Sequence, residues 1–130
     1  MKKQFRIGCT ESEFFVNYLL VTKAYHNLTD SEIQLAAKFM YYYNEYSKSV
    51  DKDKLVFELL FSTKSRKTIR EELNIDKAVN FNVTFNALKK KGIIQEQDEI
   101  LSLNQSYRIK LKENQASVEY IFKIKDNGTK

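Results

Sequence analysis

Two hydrophobic periods run along the chain, one helical before Gly92 and one of two residues after it. Residues 11–26 carry Phe14, Phe15, Tyr18, Leu19 and Tyr25 near helical spacing, which predicts a helix. Residues 4–10 read as a short strand or an ordered arm, because Phe5 and Ile7 alternate with Arg6. The next start signal is clearer. Thr29 as an N-cap with Glu32 three residues later makes a capping box, and Leu28 before it can staple against Ile33. The helix that follows, over about 30–46, places Ile33, Ala36, Ala37, Met40 and Tyr43 on one face. A polar break at 47–49 precedes a helix over 51–61 with Leu55, Leu59 and Leu60 as its apolar positions. A further helix over 65–73 turns Ile69 and Leu73 inward, with Ser65 or Thr68 to cap it and Asp76 to cap the helix after. Beyond Gly92, residues 93–96 and 100–103 flank Gln97-Asp98-Glu99 as a β-hairpin. Residues 107–111 and 117–125 alternate in the same way, with 113–115 as a loop.

One stretch reads both ways. Val79-Asn80-Phe81-Asn82-Val83-Thr84-Phe85-Asn86 alternates like a half-buried strand, yet on a helix Ala78, Phe81, Phe85 and Leu88 cluster within about 80°. A strand would leave Leu88 and the Leu73 helix without a packing partner, so the helix is the preferred reading. Its other face then carries Val79, Asn80, Val83, Asn86, Ala87 and Lys90.

The predicted class is α+β, helices first and hairpin after, in a single domain over 1–130. An N-terminal arm and helix occupy 1–27, a helical core 28–91, and strands 92–125. The order helix, helix, tight turn, helix, glycine, hairpin resembles a winged helix-turn-helix, with the helix-turn-helix at 65–91. Thr68-Ile69-Arg70-Glu71-Glu72-Leu73-Asn74-Ile75 resembles that superfamily's second helix, and Leu88-Lys89-Lys90-Lys91-Gly92-Ile93-Ile94 its exit into the wing. There a glycine suits the left-handed residue that ends the helix. Leu28-Thr29-Asp30-Ser31-Glu32 with Arg66-Lys67-Thr68-Ile69 is similar to the frame of small phage- and plasmid-encoded winged-helix proteins. The resemblance implies a helical extension before the domain and a strand addition after it.

Charge sharpens the expectation. The net charge is +5, and residues 64–91 hold eight basic against three acidic residues, so that segment accounts for the whole excess. A localised basic region is the footprint of a polyanion binder, although a solvated face also produces one. If 76–91 is a recognition helix, Asn80 and Asn86 are placed to pair with adenine edges, and Val79 or Val83 to touch thymine methyls. Lys64, Arg66, Lys67, Lys77, Lys89 and Lys90 would then meet phosphates of double-stranded DNA. The resemblance implies a regulator of transcription or an initiator of replication, of phage or mobile-element origin, acting as a dimer.

Two features favour a rival. Val79, Val83 and Ala87 form an outward apolar stripe, and Tyr41, Tyr42 and Tyr46 lie in an aromatic run, both of which suit a protein interface. Glu96, Asp98 and Glu99 give the wing the wrong sign for a DNA groove. The alternative is a winged-helix interaction module, a structural or packaging component of a phage particle or larger assembly.

Composition adds little more. A chain of 130 residues with one cysteine, Cys9, fits a soluble domain of a reducing cytosol, and no signal peptide or membrane-spanning run is expected. The absence of proline and abundance of Lys, Asn and Ile suggest an AT-rich bacterial or phage genome. The N-x-S/T triplets at Asn27, Asn82, Asn104 and Asn127 read as coincidence. His26 and Cys9 share no nucleophile–base spacing, and a capping or surface histidine is the plainer reading. No phosphate loop, metal spacing or triad is legible, so neither enzyme, cofactor nor small-molecule ligand is expected.

Overall fold

The structure of the chain, a computed structural model, describes residues 8–111. The arm expected over 4–10 lies mostly outside these residues, and the loop at 113–115 and strand over 117–125 lie wholly outside. Among the described residues the order is α1 (Glu11–Val21), α2 (Lys23–His26), α3 (Asp30–Ser47), α4 (Asp53–Leu60), α5 (Thr63–Glu72), α6 (Ala78–Lys90), β1 (Ile94–Gln97) and β2 (Ile100–Leu103). A 3₁₀ turn at Gln105–Tyr107 follows. The fold is α+β. Among the described residues, no helix is long and apolar enough to cross a membrane.

α3 is the centre, packing against α1, α4, α5 and α6. Both halves of its expected start are present: Glu32 N–H donates to Thr29 Oγ1 at 3.3 Å, and Thr29 N–H donates to Glu32 Oε1 at 2.9 Å. Leu28 and Ile33, the staple pair, are both buried in the core. The expected face of Ile33, Ala36, Ala37, Met40 and Tyr43 is buried, and so are Leu35 and Phe39. Burial on two sides is what a helix requires when neighbours cover it all round. Asn44, also buried, donates to Glu11 at 2.6 Å and accepts the Leu111 N–H at 2.8 Å, tying both ends of the described chain to α3.

Several expectations need correction. The helix over 11–26 is broken at Thr22, whose hydroxyl bonds back to the Tyr18 carbonyl at 2.8 Å. Its core residues are Phe15 and Leu19, while Tyr25 is exposed. A second capping box, Thr10 with Glu13, starts α1, and its T-x-x-E signature stands in the sequence. In α4 the buried residues are Val56, Phe57 and Leu60, whereas Leu55 and Leu59 face outward. The face is decided by Phe57, which stacks on Tyr43 at 5.7 Å between centroids. α5 starts earlier than 65, because Ser62 rather than Ser65 or Thr68 accepts the first-turn amide, from Ser65 N–H at 3.2 Å. Asp76 does not cap α6, whose N-cap is Lys77. Ala78, expected inward, is exposed. Residues 108–111 form no strand. Ile109 and Leu111 instead pack against the core, and Arg108 lies over the Phe57 ring and donates to the Leu103 carbonyl at 2.8 Å.

The stretch 79–86 is helical. Phe81, Phe85 and Leu88 are buried, and Phe85 packs on Phe39 and Phe61 at centroid distances of 5.8 and 6.3 Å. Its end is a Schellman motif: Ile93 N–H bonds to Leu88 O at 3.0 Å and Gly92 N–H to Lys89 O at 3.1 Å. Gly92 has φ +80, and an added Cβ would meet nothing within 4 Å, so conformation rather than space selects glycine here. α5 ends by the same device with Asn74 at φ 56 as the left-handed residue, Ile75 N–H reaching Arg70 O at 3.0 Å. The antiparallel hairpin pairs Ile94 with Leu103 and Gln97 with Ile100. Its turn is therefore two residues rather than the three expected, and both Asp98 (φ 54) and Glu99 (φ 66) take the positive φ of a type I′ turn.

The helical register of α6 makes a test. Leu88→Ala should lose about 2–5 kcal/mol of unfolding free energy, whereas Val83→Ala should stay within about 0.5 kcal/mol. Urea denaturation of the two variants measures the contrast, and equal losses would contradict the register.

Candidate nucleic-acid interface

α5 and α6 are joined by a short turn at 73–77 and bring most of the basic segment to one side. On α6 the residues Val79, Val83, Asn86 and Lys90 follow spacings of four, three and four, and so form a single outward stripe. Val79 and Val83 are 61% and 65% exposed, Asn80, Asn86 and Lys90 are exposed, and Ala87 is half-buried. At 100° per residue, Asn80 and Ala87 flank this stripe on one side and Asn82 and Lys89 on the other.

On α5, Arg66, Lys67 and Arg70 share a face and, with Thr63, line a groove whose far wall is Ala78, Phe81 and Asn82 of α6. Lys64 is exposed three residues before Lys67. What holds α5 against α3 lies on its other side: Ile69 is fully buried, the Tyr46 hydroxyl bonds Ser65 at 2.8 Å, and the Tyr42 hydroxyl donates to Glu72 at 2.6 Å. Lys38 approaches Glu72 at 3.7 Å. Burial and the Glu72 carboxylate raise the Tyr42 hydroxyl well above the ordinary tyrosine range, and burial with Asp53 lifts Tyr43 to about 12. Tyr42 and Tyr46, expected at a protein interface, thus spend their hydroxyls inside the chain, and half-buried Tyr41 packs on Phe15 at 6.4 Å.

Ion pairing divides the cations. Lys89 binds Glu96 of the hairpin at 2.8 Å, and Lys91 binds Glu32 at 2.6 Å and the Asn27 carbonyl at 3.1 Å. Burial raises the Glu32 pKa, but the Lys91 and Thr29 hydrogen bonds outweigh it and hold the carboxyl below its ordinary value. Lys91 is therefore a latch between the end of α6 and the start of α3. Among the described residues Lys64, Arg66, Lys67, Arg70, Lys77 and Lys90 form no ion pair. Their charge has no direct acidic partner among the described residues.

The structure thus brings Arg66 and Lys67 together across the groove from α6, sets Asn86 and Lys90 on the outward stripe, and turns Lys89 toward the hairpin. Lys77 is the N-cap residue of α6 and makes no side-chain capping hydrogen bond. Arg70, Thr63 and Asn82 were missed, although the i+3 and i+4 spacing of Arg70 from Lys67 and Arg66 signals a shared face. His26 ends the first helical pair: its Nε2 lies 2.6 Å from the Leu19 carbonyl and its Nδ1 accepts the Leu28 N–H at 3.1 Å. Cys9 is exposed and free.

Comparison with known proteins returns no match to a family model, a curated protein or a solved structure.

The Lys89–Glu96 pair generates a prediction. Glu96→Gln frees Lys89, so affinity for heparin, read as elution salt, should rise, while an exposed pair of this kind contributes only about 0–1 kcal/mol to stability. Unchanged elution would place Lys89 away from the polyanion-facing surface.

Proposed function

We propose that the chain is a winged helix-turn-helix protein that binds double-stranded DNA through α6, with α5 on the phosphates and the hairpin as an acidic wing. The observation that carries this reading is the six cations of α5, the turn and α6 that have no ion-pair partner among the described residues, beside an exposed α6 face. A major groove admits one helix, and the outward stripe offers it Asn86 with two valines. Cations on the helix before it supply affinity without reading sequence. The wing carries Glu96, Asp98 and Glu99 and stays off the phosphates, with Lys89 neutralised against it. Such a module buries little DNA alone and acts as a dimer on two half-sites. Transcription regulation or replication initiation in a phage or mobile element, in the cytoplasm of the host cell, is the role this chemistry suits.

The exposure of Val79 and Val83 favours a second reading, an interaction module that serves a phage particle or larger assembly, where a protein partner covers the stripe. Val83→Asp separates the two: loss of oligomerisation with DNA binding intact supports the second reading.

A salt titration tests the first. Neutralising about five phosphates predicts a log–log slope near −4 to −5 for duplex binding. Asn86→Ala should weaken binding at selected sequences only, and Lys90→Ala should weaken all sequences alike. No binding at low salt contradicts the proposal.

A further inference from the structure

We infer that the outer face of α1 and α2 is the docking site of this chain's own residues 117–125, which return along α1 after a turn. The face is an apolar stripe. Phe14, Tyr18 and Val21 follow spacings of four and three and so share one side of α1, and Tyr25 stands four residues further on, in α2. Phe14 and Tyr18 are half-buried and stack on each other at 6.0 Å between centroids. Val21 is 51% exposed and Tyr25 70%. Phe15 and Leu19 are the residues of α1 that enter the core, so the stripe is not what fixes the helix to α3.

The path of the described chain names the occupant. Tyr107, Ile109 and Leu111 all pack on the core. Burial and the neighbouring Tyr18 hydroxyl push the Tyr107 hydroxyl above its ordinary pKa, which sets Tyr107 beside the middle of α1. Four residues later the Leu111 N–H donates to Asn44 Oδ1 at 2.8 Å, and the same Asn44 donates to Glu11, the first residue of α1. The chain thus runs down α1 from Tyr18 to Glu11. Arg108 and Lys110, each 3.5 Å from Asp53 of α4, hold it to that course. Residue 112 is therefore delivered at the start of the stripe.

The residues that follow match the face. Lys112-Glu113-Asn114-Gln115-Ala116 is polar and suits a turn. After it, Val118, Tyr120, Phe122 and Ile124 alternate with Glu119, Ile121 and Lys123, which gives an extended chain one apolar side. The stripe from Phe14 to Tyr25 spans about 16 Å at the helical rise. Val118 to Ile124 span about 20 Å at the rise of an extended chain. Tyr120 and Phe122 bring two rings to a face that carries three, and aromatic pairs gain beyond their buried area. A segment on so short a tether meets the face at an effective concentration of about millimolar, which favours it over a second molecule.

The test uses the full chain and does not depend on what α6 binds. A nitroxide is attached to the thiol of a Lys23→Cys, Cys9→Ser variant, Lys23 being exposed on α2 at the far end of the stripe. In the ¹⁵N spectrum the amides of 121–125 should lose most of their intensity, and those of 113–116 much less. Phe122→Asp should restore the lost intensity, whereas Ile121→Asp, on the other side of the alternation, should not. Broadening as strong at 113–116 as at 121–125, or broadening that survives Phe122→Asp, overturns the docking. A mixture of ¹⁵N-labelled untagged chain with unlabelled tagged chain should show no loss at 121–125. Loss in that mixture overturns docking within one chain and assigns the stripe to a second copy.

Discussion

The junction of Phe39, Phe61 and Phe85 is the contact on which the placement of α6 depends. Phe39 lies at the middle of α3, Phe61 caps the end of α4, and Phe85 is the inward residue of α6, with centroid separations of 5.2, 5.8 and 6.3 Å. Aromatic rings of this size dominate a small core through buried area, and their edge and offset preferences restrict how the three helices can turn. With Phe85 held inward and Phe81 stacked behind it at 5.9 Å, helical geometry leaves Val83 and Asn86 no direction but outward. The exposed stripe of α6 follows from that rotation. The Lys91–Glu32 latch and the Schellman end at Gly92 then close the far end of the helix against α3.

Much of this was legible in the sequence because its signals are local. Thr29 and Glu32 announce the start of α3, Gly92 announces the end of α6, and the Phe81, Phe85 and Leu88 spacing turns an alternating stretch into a helix. α4 was legible as a helix but not in its rotation. Leu55 and Leu59 are as apolar as Val56 and Leu60, and only the stacking of Phe57 on Tyr43, ten or more residues away, selects the face. The alternation at 107–111 resembles a strand for a related reason: Tyr107, Ile109 and Leu111 pack on the core from a 3₁₀ turn and the chain after it, and such one-sided burial has a strand's period.

The site was legible as charge and not as geometry. The basic segment could be counted, yet nothing local says that Lys89 and Lys91 are taken by Glu96 and Glu32 while Arg70 has no ion-pair partner among the described residues. Pairing of that kind depends on which elements meet at the end of α6, the hairpin 7 residues on and the start of α3 59 residues back. The tyrosines show the same limit. Their abundance suggested an outer surface, but Tyr42 and Tyr46 are the struts that hold α5 on α3, and so position the cations.

The central claim is that the outward stripe of α6 is the surface that meets DNA. Site-specific photo-crosslinking tests it most directly, with a benzophenone amino acid at Val83 and, as a control, at Leu59, another exposed apolar residue, on α4. The account predicts that irradiation with a duplex yields a protein–DNA adduct from position 83 and none from position 59. Adducts from 59 alone, or equal yields from both, would contradict it.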